Sequence, residues 1–191
     1  SEDKAFQKRY MDLPFAVPDP RFRKKAEEID GDQGVAKSTA DGLAQLKSVV
    51  EGGTVTFGGQ TYPADGNAAI VVSDLGKAQE LSADATVQIR ILSAGQSRVE
   101  LAYMPEASTN AARSALQHAN LSFEDMDAIK THNPFAVNDI IFARDTGVRV
   151  ENFNNFGCSL IWGHPQAPTA MRSVIELIEE LVMRGGGHGL F

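Results

Sequence analysis

The sequence predicts an α/β protein built as a layered sandwich. Three observations lead there. Strand-like and helix-like segments alternate along the 191 residues. The run "AAIVVS" (68–73) is continuously apolar and of strand length, which marks a strand covered on both faces. The last long segment, "RSVIELIEELVMRGGG" (172–187), is apolar at helical spacing.

The elements follow in order. The opening "SEDKAFQKRY" reads as helical, and "DLPFAVPDPRF" (12–22) as extended, since its three prolines resist both a helix and a central strand. "STADGLAQLKSVV" (38–50) predicts a helix capped by Ser38 or Thr39, with Leu43, Leu46, Val49 and Val50 on one face. A short β-prone run between glycine-rich turns follows, then the strand 68–73. "ATVQIRILSA" (85–94) alternates as a strand, with Val87, Ile89 and Ile91 inward. "SALQHANLS" (114–122) closes an alanine-rich helix, and "MDAIKTH" (126–132) is a short strand. Asn133 reads as the N-cap and Pro134 as the first residue of a helix that ends at Gly147. "VRVENF" (148–153) and "CSLIW" (158–162) read as strands. In the final helix Val174, Ile178, Leu181 and Val182 form the apolar stripe, Glu176, Glu179 and Glu180 face out, and Gly185 stops it.

Composition narrows the function. The chain is 42% hydrophobic and carries a net charge of −7, which disfavours a nucleic-acid surface. A single cysteine excludes an intrachain disulfide and a cysteine-based zinc cage and fits a reducing cytoplasm. No run of about 18 apolar residues predicts a membrane span. The charged N-terminus is no signal peptide. The chain opens without methionine and closes at "GGGHGLF" as an apolar strand begins, so a piece of a longer or split protein is expected.

Two histidines stand where ligands gather in such folds, at the carboxyl ends of strands beside helix starts. His132 ends the strand "MDAIKTH", and His164 lies in a Gly-His-Pro turn before the final helix. Each is open to a role beside an anionic reaction centre or to simple packing. His118 and His188 read as surface residues. Cys158, in an apolar run, reads as a small buried hydrophobe without the base a nucleophile needs. The basic cluster "RFRKK" (21–25) reads as a solvated face, and the glycines 185–187 lack a P-loop's lysine and hydroxyl. The acidic residues show no metal-ligand spacing, so no metal is expected.

Taken together, these segments resemble the C-terminal half of a thiolase. The family carries a signature like N-x-N-G-G-x-x-A-x-G-H-P-x-G-x-S/T-G, and here that stretch reads "NNFGCSLIWGHPQAPTA" (154–170). "GTVTFGGQTYPADGNAAIVVS" (53–73) is similar to the family's G-T-V-T-A-G-N-A-S stretch, and "KSTADGLAQLK" (37–47) to the segment before it. "THNPFAVND" (131–139) falls where thiolases carry N-E-A-F-A or H-D-x-F.

The resemblance implies a layered α/β/α/β/α sandwich. Residues 1–65 would be the end of the loop and cofactor-binding region, and residues 66–191 the C-terminal domain, cut before its last strands. It implies thiolytic cleavage or Claisen condensation of β-oxoacyl-CoA and acetyl-CoA, with coenzyme A as substrate or product and no covalently bound cofactor. His164 would activate a cysteine and hold the thioester oxygen, and His132 would serve a second oxyanion hole. Phe135 would wall the acyl site, with Asn133, Thr61, Gly163 and Pro165 in the substrate and CoA site. Asn133 and Pro134 depart from the family's Glu-Ala and Asp-x, Cys158 takes a family glycine's place, and Ala167 and Ala170 replace glycines.

The nucleophilic cysteine would belong to the N-terminal half and the C-x-G cysteine would lie past Phe191. The implied partners are that half, a homo- or hetero-oligomer, and a small zinc-ribbon/OB-fold companion of the kind some divergent bacterial thiolases use on aryl-substituted β-oxoacyl-CoA. An inactive CoA-binding or scaffolding subunit is the alternative, and a condensing enzyme of the ketosynthase kind a third. The "G-T-V-T" segment favours thiolase over the latter. Neither a nucleic-acid nor a membrane partner is expected.

Overall fold

The computed structural model describes residues 4–19, 21–22 and 25–191. Pro20, Arg23 and Lys24 lie outside them, so the basic cluster is seen only through Arg21, Phe22 and Lys25, all exposed. Among its described residues the opening segment holds a 3-10 turn at Gln7–Arg9. The proline-rich stretch enters an antiparallel hairpin of β1 (Phe15–Pro18) and β2 (Ala26–Ile29). Such a two-stranded ribbon has only edges, where a proline removes no ladder bond that matters. The helix expected over 38–50 is only α1, Ala40–Ala44, capped by the Thr39 hydroxyl on the Gly42 amide. Its expected apolar face, Leu43, Leu46, Val49 and Val50, is exposed. A short helix without a surface to cover gains little beyond its propensity.

The expected strands 68–73 and 85–94 pair with no strand among the described residues. Val71 is 80% exposed and Ile91 71%. A strand is defined by a neighbour's hydrogen bonds, and no described segment supplies one to these. Helix α2 (Leu75–Leu81), capped by Asp74, lies between them. The end of the second segment instead lies on α3 (Met104–Ala119), where Ser93 and Ser97 donate to the Ala115 and Ala107 carbonyls. Gly95 lets it lie that close, because a Cβ there would overlap the Ala111 carbonyl. Asn120 ends α3 in the left-handed conformation.

The core is layered about one parallel pair, β3 (Ala128–Ile129) with β4 (Gly189–Leu190). Alternate residues of a strand face opposite sides. Ile129 and Leu190 pack with Ala112 and Leu116 of α3, Phe153, and Phe142 of α4 (Ala136–Thr146). Phe142 meets Phe123 and Phe153 edge-on, at 5.9 and 5.2 Å between centroids. Ala128 faces the other way, onto Leu177 and Leu181 of the final helix.

Three expectations change here. Asn133 does not cap α4; Phe135 holds that position, because the Asn133 side chain is engaged elsewhere and the Pro134 carbonyl accepts the Thr61 amide. "VRVENF" contains a 3-10 turn, Val150–Asn152, in place of a strand. "CSLIW" forms α5, Ser159–Trp162, with Cys158 at its N-cap. A five-residue apolar run fits a buried helical turn as well as a strand. Gly147 and Gly185 end their helices with positive φ, as expected.

The final helix α6, Thr169–Arg184, overturns one further expectation. Glu176 and Glu180 point inward, each 1% exposed, while Glu179 meets Arg9 nearer the surface. Glu176 is held by Lys130 at 3.5 Å, by Tyr10 Oη at 2.7 Å and by Arg172 Nε at 3.2 Å. Arg172 in turn forks onto Asp32 and lies over the Trp162 ring. Glu180 accepts from Arg184 and Asn155. Buried carboxylates survive only when paired in this way.

Candidate functional site

The chain leaves β3 through Lys130 and Thr131 and reaches His132 before α4 begins. His164 follows α5, in a turn that only glycine can open. Gly163 has φ +91°, and a Cβ there would lie 2.7 Å from Ala64 Cβ and 2.8 Å from the Tyr62 ring. The two imidazoles meet with centroids 4.8 Å apart and planes tilted by 51°. The residues chosen from the sequence as the chemical centre are therefore neighbours.

One loop supports both turns. The Thr61 amide donates to the Pro134 carbonyl, and Gln60 and Phe135 are bridge partners. The Thr61 hydroxyl donates to the Ser159 carbonyl. The His164 amide donates to the Tyr62 carbonyl at 2.8 Å, and Pro63 bridges His164 in parallel. The Tyr62 hydroxyl reaches the Ile161 carbonyl. Thr61 thus uses its hydroxyl on the protein itself.

His164 Nδ1 is hydrogen-bonded to the Thr169 hydroxyl at 2.7 Å, at the first residue of α6. That fixes the ring and leaves Nε2 as the nitrogen for chemistry. His132 is half-buried, and its Nδ1 is buried with no hydrogen-bond partner among the described residues. Burial pushes its imidazole below the ordinary histidine range, and His164 pushes it the same way. At neutral pH His132 is a neutral ring, able to offer one N–H to an oxygen that gains charge.

Behind His132 lies a buried polar chain. Asp139 accepts from Thr131 Oγ1 at 2.9 Å and from Asn133 Nδ2 at 2.6 Å. Burial raises the Asp139 carboxyl, and those two hydrogen bonds oppose the rise. Ser159 Oγ donates to Asn133 Oδ1 at 3.0 Å, and Asn133 is fully buried. Asn154 accepts from the Thr131 amide and donates to the Thr131 hydroxyl. Phe135 is partly exposed at the start of α4, and Pro165 is half-buried beside His164.

Cys158 is buried. Burial pushes its thiol up, which outweighs the opposing hydrogen bonds from Asn133 and the Leu160 and Ile161 amides. His118 and His188 are exposed. Among the described residues no group of three or more His, Cys, Asp or Glu side chains converges on a metal position, and no helix is long and apolar enough to cross a membrane.

Sequence reasoning missed Thr169, Asp139 and Ser159. Thr169 stands at the signature's Ser/Thr position, so the motif itself held that signal. Asp139 and Ser159 gave none, because their importance comes from what they touch.

Residues 85–191, more than half of the chain, match the family described as "Thiolase, C-terminal domain". The chain is 30% identical over 186 residues to the peroxisomal 3-ketoacyl-CoA thiolase A of Mus musculus, covering 94% of this chain and 42% of that protein. It is 32% identical over 171 residues to the acetyl-CoA acetyltransferase of Syntrophomonas wolfei, covering 87% and 43%. The crystal structure of the Bacillus anthracis acetyl-CoA acetyltransferase superposes with a TM-score of 0.83 at 26% identity, over 99% of this chain and 48% of that one. The chain spans less than half the length of each of these relatives. With its signature turn, its layered α/β fold and the match over its C-terminal residues, the chain belongs to the thiolase family.

Proposed function

We propose that this chain supplies the histidine side of a thiolase-type acyl-CoA acyltransferase site. The pairing of His132 and His164 at 4.8 Å carries the reading. His164 Nε2 takes the proton of a cysteine outside this chain. The thiolate adds to the thioester carbonyl carbon, the carbon–sulfur bond to coenzyme A breaks, and the proton passes to the departing thiolate. Neutral His132 donates to the oxygen that carries charge when the α-carbon bond forms or breaks. Donors fixed where charge develops are usually the largest catalytic contribution.

Phe135, Gly163 and Pro165 border the acyl and pantetheine path, and Thr61 shapes it through its hold on Ser159. The substrates are β-oxoacyl-CoA and acetyl-CoA, with coenzyme A as substrate or product and no covalent cofactor. The partners are the N-terminal half of the thiolase, further subunits and a zinc-ribbon/OB-fold companion, in the cytoplasm.

His164→Ala in the assembled enzyme is expected to lower kcat on the order of 100-fold or more. Cys158→Ala is expected to hold kcat within about twofold, as for a residue that takes no part in the chemistry. Unchanged turnover in His164→Ala, or lost turnover in a folded Cys158→Ala, refutes the assignment. An assembled protein with no turnover at all would favour the scaffolding alternative.

A further inference from the structure

We propose that Asp139 is a positioning residue that fixes His132 against His164. The inference rests on the thiolase reading of His132. Thr131 and Asn133 are the residues on either side of that histidine, and one carboxylate accepts from both of them, on different oxygens. The backbone that carries His132 is therefore pinned at two points one residue away. Asn133 passes the constraint on: its side-chain oxygen accepts from Ser159, the first residue of α5, and His164 follows α5 after Gly163 alone. Asp139, Asn133 and Ser159 join the element bearing one histidine to the element bearing the other.

A carboxylate suits this place because it only accepts. The Thr131 hydroxyl must point its proton at Asp139, so it takes the Asn154 amide proton on its lone pair. The Asn133 amide must turn its nitrogen to Asp139, so its oxygen is left for Ser159. One acidic side chain sets the direction of every bond in the chain. Asn133 stands where the resembled family carries an acidic residue, and in this chain the carboxylate bonded to it is that of Asp139.

The test uses an exchange of two side chains in the assembled enzyme. Asp139→Asn alone turns one of the two acceptors into a donor, so the Thr131 hydroxyl loses its acceptor and that arm is held only with the hydroxyl proton turned away. A misplacement of His132 is expected to lower kcat roughly 10- to 100-fold while KM stays within about twofold. Asn133→Asp combined with Asp139→Asn remakes each bond with the charge at the other end. The residue-133 carboxylate accepts from Ser159 and from the residue-139 amide, whose oxygen accepts from Thr131. That double variant is expected to return to within about threefold of the parent.

Full turnover in Asp139→Asn overturns the proposal. So does a double variant as impaired as the single one, and this arm decides the matter if Asp139→Asn fails to fold. His132→Ala separates the two levels. An impaired His132→Ala beside a normal Asp139→Asn removes the clamp alone, whereas normal turnover in His132→Ala removes the role of His132 and the clamp with it.

Discussion

The Lys130–Glu176 pair gives a prediction that turns on asymmetry. Both side chains are 1% exposed and their charged atoms stand 3.5 Å apart. With an effective dielectric constant of about 20, that separation corresponds to about 5 kcal/mol of attraction, set against the cost of taking both ions out of water. The two partners are not equally dependent on each other. Glu176 also has Tyr10 and Arg172. Lys130 has the Gly157 carbonyl at 3.3 Å and the Phe6 and Phe156 rings, each 6.0 Å away. Glu176→Gln keeps the shape and leaves a buried ammonium without a counter-charge, so a loss of about 3–5 kcal/mol is expected. Lys130→Met leaves a carboxylate still bonded twice, so about 1–3 kcal/mol is expected. The double variant Lys130→Met with Glu176→Gln removes the stranded charge and is expected to be more stable than Glu176→Gln alone. Urea unfolding of the assembled protein measures all three as shifts of midpoint at constant slope. If Lys130→Met costs as much as Glu176→Gln, or the losses simply add, the argument fails.

Two further outcomes follow from the site. His132 titrates below the ordinary histidine range. The unfolded chain then takes up a proton that the folded protein refuses, so stability is full above the ordinary range and is lost as pH falls through it. Imidazole NMR should show the low midpoint, and His164→Gln should raise it only partway, since burial is the larger cause; an unchanged midpoint refutes the coupling. Gly163→Ala meets both a positive φ and the Tyr62 and Ala64 side chains, so a loss of about 2 kcal/mol or more is expected together with reduced turnover. A neutral effect on unfolding and kcat would show that the turn can relax.

What the sequence disclosed and what it hid differ in kind. Gly147 and Gly185 announced the ends of α4 and α6, because a left-handed C-terminal residue is a local requirement. His132 and His164, whose rings the structure brings together, were singled out by the turn and strand-end positions around them. Glu176 and Glu180 were misread because periodicity assigns carboxylates to water, while Lys130 and Tyr10, which bring Glu176 inside, stand far away in sequence. The segments 68–73 and 85–94 have the composition of strands, yet pairing depends on a neighbour and composition cannot supply one. Asp139 escaped notice for a related reason. It is an ordinary acid in the first turn of α4 until Thr131 and Asn133 are brought onto it.

The loop at residues 60–63 has a further consequence. It is bonded to the chain beside His132 and to the chain at His164, so both imidazoles share one mounting. A displacement of that mounting is common-mode: it reaches both rings at once. Spacing and placement are thereby separate adjustments. Residues behind the histidines bear on how far apart they stand, and residues in the loop bear on where the pair sits.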